Sequence, residues 1–229
     1  MKKMLIRKLC ILVVFFLFLL LLVILCRMAG SNAKQTSALS ANDCYENMIA
    51  ITFDDGPRQS TTSKLLDGLK ERGVKATFFL VGNKVEDNQE LIARMHEEGH
   101  LIGNHTFSHI QLSTVSTDEA YQEIVKTNEA IEKVIGEPIK YIRPPYGSYS
   151  NKLLLKINMT PVLWTVDPKD WNSDNVGQIV KDVVENVKCG DIILMHDIYD
   201  TSVTAALEII DQLKAKGYVF VTVDQMLLD

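Results

Sequence analysis

Cysteine is scarce in this chain, four residues in 229, and two of those four, Cys10 and Cys26, lie in one apolar run. Cys44 and Cys189 are left, too few and too far apart for a cysteine-ligated zinc cluster or a disulfide framework. A Cys44–Cys189 bridge is not the expected state. Acidic residues are absent before Asp43, whereas Lys2, Lys3, Arg7, Lys8 and Arg27 crowd the first 27 positions. Setting those five aside leaves 19 Lys+Arg against 29 Asp+Glu, a net charge of −10. A polyanion binder needs the opposite balance, so a nucleic-acid partner is excluded. No internal repeat of fixed period is present, so the chain is not a repeat array.

The apolar run from Leu9 to Cys26 is the longest in the sequence. At ~1.5 Å per residue it spans roughly 27 Å, close to the hydrocarbon thickness of a bilayer. Its basic flank predicts a transmembrane anchor through residues 9–26 with the charged end in the cytoplasm. Ser31-Asn32-Ala33 resembles a cleavage site, so a secreted form is the alternative. Residues 28–47, rich in Ala, Ser and Asn, read as a flexible tether of roughly 25 Å reach. The sequence thus divides into residues 1–27, residues 28–47 and an exported domain over 48–229.

Within that domain, apolar runs at 48–53, 75–81, 100–104, 139–143, 161–166, 191–195 and 218–223 read as buried strands. Helical stripes separate them, such as Val176, Ile179, Val180, Val183, Val184 and Val187, or Tyr121, Ile124, Val125, Asn128, Ile131 and Ile135. Ser116 and Glu119 have capping-box spacing. Gly73, Gly99, Gly136 and Gly217 stand where helices should stop. Seven alternations with strands buried on both faces imply a parallel α/β sheet, either open and doubly wound or closed as a barrel. Polar clusters follow five strands, which favours the barrel, because one barrel mouth collects the loops of all strands.

The first cluster is Thr52-Phe53-Asp54-Asp55-Gly56-Pro57, two carboxylates delivered into a tight turn. Neighbours on extended backbone point apart, so Asp54 and Asp55 are expected to have different partners. A helix-capping Asp after the strand is the plainer alternative. His105 and His109, four apart, would face one way on a helical turn and suit a shared metal. With Asp55 they make a His₂Asp set of the hydrolytic-zinc type; solvated loop histidines are the alternative. Arg143-Pro144-Pro145-Tyr146 offers a guanidinium to hold Asp54 ionised and a stiff loop that aims the Tyr146 N–H. Asp167-Pro168-Lys169-Asp170-Trp171 supplies a carboxylate and a flat indole, the latter a sugar platform or packing. Leu194-Met195-His196-Asp197 ends the sixth run, and a His paired with a carboxylate has the fixed tautomer of a general acid. His96 and His100 have no partner at ligand spacing and read as background.

These five clusters, in this order over residues 48–227, resemble the motifs of the NodB-type polysaccharide deacetylases, carbohydrate esterase family four. The resemblance implies a distorted (β/α)7 barrel, preceded here by the transmembrane helix. It implies hydrolysis of acetyl groups on carbohydrates with Zn2+, or another divalent ion such as Co2+ or Ni2+. Asp55, His105 and His109 would hold the metal; Asp54, tethered by Arg143, would be the base; His196, tuned by Asp170, would be the acid. Tyr146 N–H would face the oxyanion, and Trp171 and Leu194 would wall the acetyl pocket. The expected substrate is N-acetylglucosamine of a cell-wall polysaccharide, peptidoglycan first. Chitooligosaccharides, N-acetylmuramic acid and O-acetyl xylan are the alternatives. A catalytically dead wall-binding module should have lost Asp54 or His196, and a two-carboxylate glycosidase leaves His105 and His109 unexplained.

Overall fold

A computed structural model describes residues 47–227. The expected anchor, the tether and Cys44 lie outside the described residues. No helix among the described residues is long and apolar enough to cross a membrane.

The architecture is built on β1 (Met48–Asp54), whose residues alternate between two apolar environments. Ile49, Ile51 and Phe53 pack outward with the helices in the main core. Ala50 packs inward with Phe79, Val162 and Val223. Strand period two therefore puts Thr52 and Asp54 on that same inner row, with Asp54 at its C-terminal end. All seven strands run parallel: β2 (Thr77–Leu80), β3 (Leu101–Asn104), β4 (Tyr141–Ile142), β5 (Thr160–Pro161), β6 (Ile192–His196) and β7 (Val219–Phe220). Their order is β5-β4-β3-β2-β1-β6, with β7 beside the first two residues of β1. Beyond β5, Val166 bridges to Ile193 of β6, so the segment that pairs with β4 also reaches the far edge of the sheet. The result is a barrel-like parallel α/β fold.

Helices α1 (Gln59–Arg72), α2 (Gln89–Glu97), α3 (Thr117–Ile135), α5 (Val176–Asn186) and α6 (Asp200–Ala215) follow strands as expected, with a short α4 (Asn151–Leu154) in between. The expected stripes are the buried ones: Leu65, Leu66 and Leu69 of α1, Leu91, Ile92 and Met95 of α2, and Ile179, Val180, Val183 and Val184 of α5. Ser116 caps α3 by accepting from the Glu119 N–H at 3.2 Å. Gly136 closes the same helix at φ +75°, a left-handed conformation that costs glycine least.

Three expectations are corrected. The strand read over 161–166 is split, because the Val162 and Leu163 carbonyls turn inward and accept from Arg143 (Nε and Nη2, each 3.2 Å). The strand read over 218–223 stops at Phe220. A last helix, α7 (Val223–Leu227), begins there, its Val223 N–H held by Thr77 Oγ1 at 3.1 Å. The His105–His109 stretch is not a helical turn but an irregular loop with Thr106 at φ +63° and His109 at φ +57°.

Candidate active site

The C-terminal ends of the strands gather the polar clusters around one cavity of about 440 Å³. Of the ten expected site residues, Asp54, Asp55, His105, His109, Tyr146, Trp171, Leu194 and His196 line it. Arg143 and Asp170, both buried, stand directly behind. A cavity of about 500 Å³ lies at the opposite end of the sheet, under the starts of β3 and β4. There His100 is a structural residue: Nδ1 accepts the Ala76 N–H, and burial pushes its pKa down to about 4. His96 lies 3.9 Å from Glu137 at the same end, so both background histidines are remote from the site.

Arg143 organises the floor. Its Nη1 donates to Thr52 Oγ1 (2.6 Å) and to Asp54 Oδ1 (2.8 Å), and Thr52 Oγ1 in turn donates to the Ile193 carbonyl at 2.7 Å. The guanidinium also lies 4.3 Å from the centroid of the Phe79 ring. Burial lowers its pKa and the Asp54 charge opposes that shift. A fully buried cation with all three nitrogens engaged fixes the Asp54 carboxylate in one orientation.

Asp55 points elsewhere, as expected, though for a different reason. It is not extended but left-handed, at φ +71°. Its turn is held by the Lys84 ammonium on the Asp55 carbonyl (2.7 Å) and by the Val81 N–H on the Gly56 carbonyl (3.0 Å). The capping alternative fails: α1 begins after Arg58 with no side-chain cap. Asp55 Oδ1 lies 3.1 Å from His109 Nε2 and 3.4 Å from His105 Nε2, buried and without a well-formed hydrogen bond. Burial alone would raise the Asp55 pKa; the imidazoles, His105 foremost, bring it down to about 2.

The donor set fits a divalent metal ion. His105 Nδ1 contacts the Arg143 carbonyl at 2.6 Å, and a carbonyl only accepts, so the proton of the neutral ring sits on Nδ1. The Nε2 lone pair then faces a carboxylate oxygen, an arrangement that a metal cation between them relieves. Burial lowers the His109 pKa and keeps a second lone pair available. One ligand atom from each of Asp55, His105 and His109 lies within 4.8 Å of the others. No other such group of three or more converges among the described residues.

Across the cavity, His196 Nδ1 contacts Asp170 Oδ1 at 2.8 Å, and Asp170 Oδ2 accepts the His196 N–H at 2.9 Å. Burial by itself would depress the His196 pKa. The Asp170 carboxylate, helped by Asp54 and Asp55, outweighs it and raises the value to about 9. Nε2 is left toward the cavity. Tyr146 sits at φ +58° with its ring edge-on to His109, and its N–H donates to no protein group among the described residues. Trp171 is half exposed, as a platform requires. Sequence reading gave no role to Trp164, Asp167 and Tyr199, which also line the cavity. Trp164 was hidden inside an apolar run, and Tyr199 lies three residues past the last motif.

A parallel α/β sheet whose strand ends carry a His₂Asp set, an Arg-tethered carboxylate and a carboxylate-backed histidine has the residue types of a hydrolase site, with donors suited to a divalent ion. Residues 41–162 match the polysaccharide deacetylase family. The chain is 44% identical over 80% of its length to the peptidoglycan-N-acetylmuramic acid deacetylase PdaC of Bacillus subtilis. It is 42% identical over 78% to the peptidoglycan-N-acetylglucosamine deacetylase PgdA of Listeria monocytogenes. It spans only 39% and 38% of the lengths of those two relatives. The solved structure of PdaC superposes with a TM-score of 0.78 at 43% identity, covering 80% of this chain and 91% of that one. A family 4 acetyl xylan esterase from Clostridium thermocellum, solved with a cobalt ion, superposes at 0.75 with 36% identity over 78% of this chain and 89% of that one. The chain belongs to the polysaccharide deacetylase family.

Proposed function

We propose that this protein hydrolyses N-acetyl groups on N-acetylglucosamine units of a cell-wall polysaccharide, peptidoglycan first, releasing acetate and leaving a free amine. The carrying observation is the Asp55 carboxylate oxygen set 3.1 and 3.4 Å from two imidazole nitrogens at the mouth of the cavity. A divalent ion bound there, zinc or another such as cobalt or nickel, supplies Lewis-acid polarisation of the acyl oxygen and a more acidic water. The cobalt ion in the acetyl xylan esterase structure supports that reading by likeness.

The chain's own residues divide the remaining work. Asp54, oriented by Arg143, takes the proton of the attacking water. The Tyr146 N–H, left without a protein acceptor, donates to the oxygen as charge develops on it. His196, protonated up to about pH 9 through Asp170, gives its proton to the amine nitrogen as the C–N bond breaks. Leu194 and Trp171 wall the acetyl group and stack a sugar ring, with Trp164 and Tyr199 extending the apolar rim.

The name of the Bacillus subtilis relative favours N-acetylmuramic acid as a second reading. Mass spectrometry of muramidase fragments from treated peptidoglycan, with chitooligosaccharides and acetyl xylan in parallel, decides between the sugars. Failure to release acetate from any of them with zinc or cobalt present overturns the proposal. The basic-apolar segment over residues 1–27 supports an extracytoplasmic domain anchored through residues 9–26. Protease accessibility of the full chain on intact cells tests that placement.

A further inference from the structure

The loop that carries His105 and His109 has no regular secondary structure, and two of its residues take left-handed backbone. Such conformations are costly for residues other than glycine and persist only where their surroundings over-determine them. Asn104 Oδ1 accepts the Thr106 N–H at 2.7 Å, and the Thr106 and Phe107 carbonyls accept from the Gly82 and Asn83 N–H groups, each at 2.9 Å. These contacts secure the first half of the loop and leave the part next to His109.

That part is held by one carboxylate. Glu123, on α3, accepts at a single oxygen, Oε2, from the Phe107 N–H (3.0 Å), the Ser108 N–H (2.7 Å) and the Ser108 hydroxyl (2.9 Å). Lys126, one turn along the helix, lies 3.5 Å over the Phe107 ring. Hydrogen bonds to a charged acceptor are the strong kind, and three converging on one atom fix both position and tilt. Ser108 immediately precedes His109, whose own ring is only half-buried and makes no bond to a backbone carbonyl among the described residues, unlike that of His105.

We infer that Glu123 is a positioning residue for the metal centre, locking the Phe107–Ser108 peptide so that His109 Nε2 meets the ligand atoms of Asp55 and His105. The inference rests on the metal reading above and adds a residue from outside all five motif clusters. Partners behind metal ligands typically contribute about 10–100-fold to metal affinity. The full chain is stripped with chelator, and zinc dissociation constants are measured by competition with a chromophoric chelator for the parent, Glu123→Ala, Glu123→Gln and His109→Ala. Thermal unfolding of each metal-free protein is recorded beside them. The expected result is a rise of about 10–100-fold in the zinc dissociation constant for Glu123→Ala. Glu123→Gln, which keeps an acceptor oxygen but loses the charge, should show a smaller rise, with its metal-free unfolding close to the parent's. Parent-like affinity in Glu123→Ala, or in Glu123→Gln if the alanine variant does not fold, overturns the inference. A parent that binds zinc no better than His109→Ala overturns the metal reading itself, which separates the two failures.

Discussion

Two adjacent aspartates show how much one backbone angle decides. Asp54 ends the inner row of β1 and meets Arg143, whereas Asp55, one residue later at φ +71°, swings to the imidazoles. Asp54→Asn should therefore keep zinc and lose most turnover, because an amide does not accept the water's proton. Asp55→Asn should lose zinc first. Metal content of the two purified variants tests this split, and equal loss in both contradicts it. The His196–Asp170 pair makes a second residue-level prediction. The folded pKa of His196 is raised to about 9, above the ordinary imidazole value. The pairing therefore adds stability that is complete below about pH 6.5 and is lost as pH climbs through about 9. Asp170→Asn removes the charge with little change of shape. Turnover should fall by about 10²–10⁴-fold, and the alkaline limb of its pH profile should move to lower pH. An alkaline limb that stays in place would assign Asp170 to packing alone.

At the scale of elements, the sequence was most legible where one period or one motif determines the outcome. The α5 stripe, the Ser116 cap and the strand ends bearing Asp54 and His196 all follow from spacing that local geometry enforces. The misreadings share one cause, which is a contact from outside the segment. Arg143 takes the carbonyls that would have continued the fifth strand, and Thr77 takes the N–H that would have extended the seventh. Lys84 and Glu123 were invisible for the same reason, since each acts on a motif from a different element. Asp197 is fully buried behind the Asp55 turn, where burial pushes its carboxyl up to about 7 although Thr62 donates to it at 2.5 Å. A Cβ on Gly56 would run into that carboxyl group. Gly56→Ala is accordingly expected to destabilise the protein by about 1–3 kcal/mol, read as a lower urea midpoint at unchanged slope. A midpoint equal to the parent's would show that the turn yields without cost.

At the scale of the whole molecule, the fold and the site draw on separate reserves. The core is a continuous apolar layer between sheet and helices, anchored by Ile49, Ile51 and Phe53 of β1 against Leu65, Leu66 and Leu69 of α1. The proposed metal ligands Asp55, His105 and His109 belong to none of that layer; they stand on loops at the strand ends. Chelation should therefore abolish turnover without unfolding the domain, in contrast to small zinc modules whose core is the metal site. Mass action still links the two. A ligand present at 1,000 times its dissociation constant stabilises the native state by about 4 kcal/mol. In a domain of this size each kcal/mol shifts the melting temperature by about 2–4 °C. Stripping the metal is expected to lower the melting temperature by about 8–16 °C while the far-ultraviolet circular dichroism at 25 °C stays the same, and added zinc should restore both melting temperature and turnover. Loss of the helical signal at 25 °C on chelation would show instead that the three loop ligands hold the barrel together. Full turnover after exhaustive chelation would remove the metal from the reaction altogether.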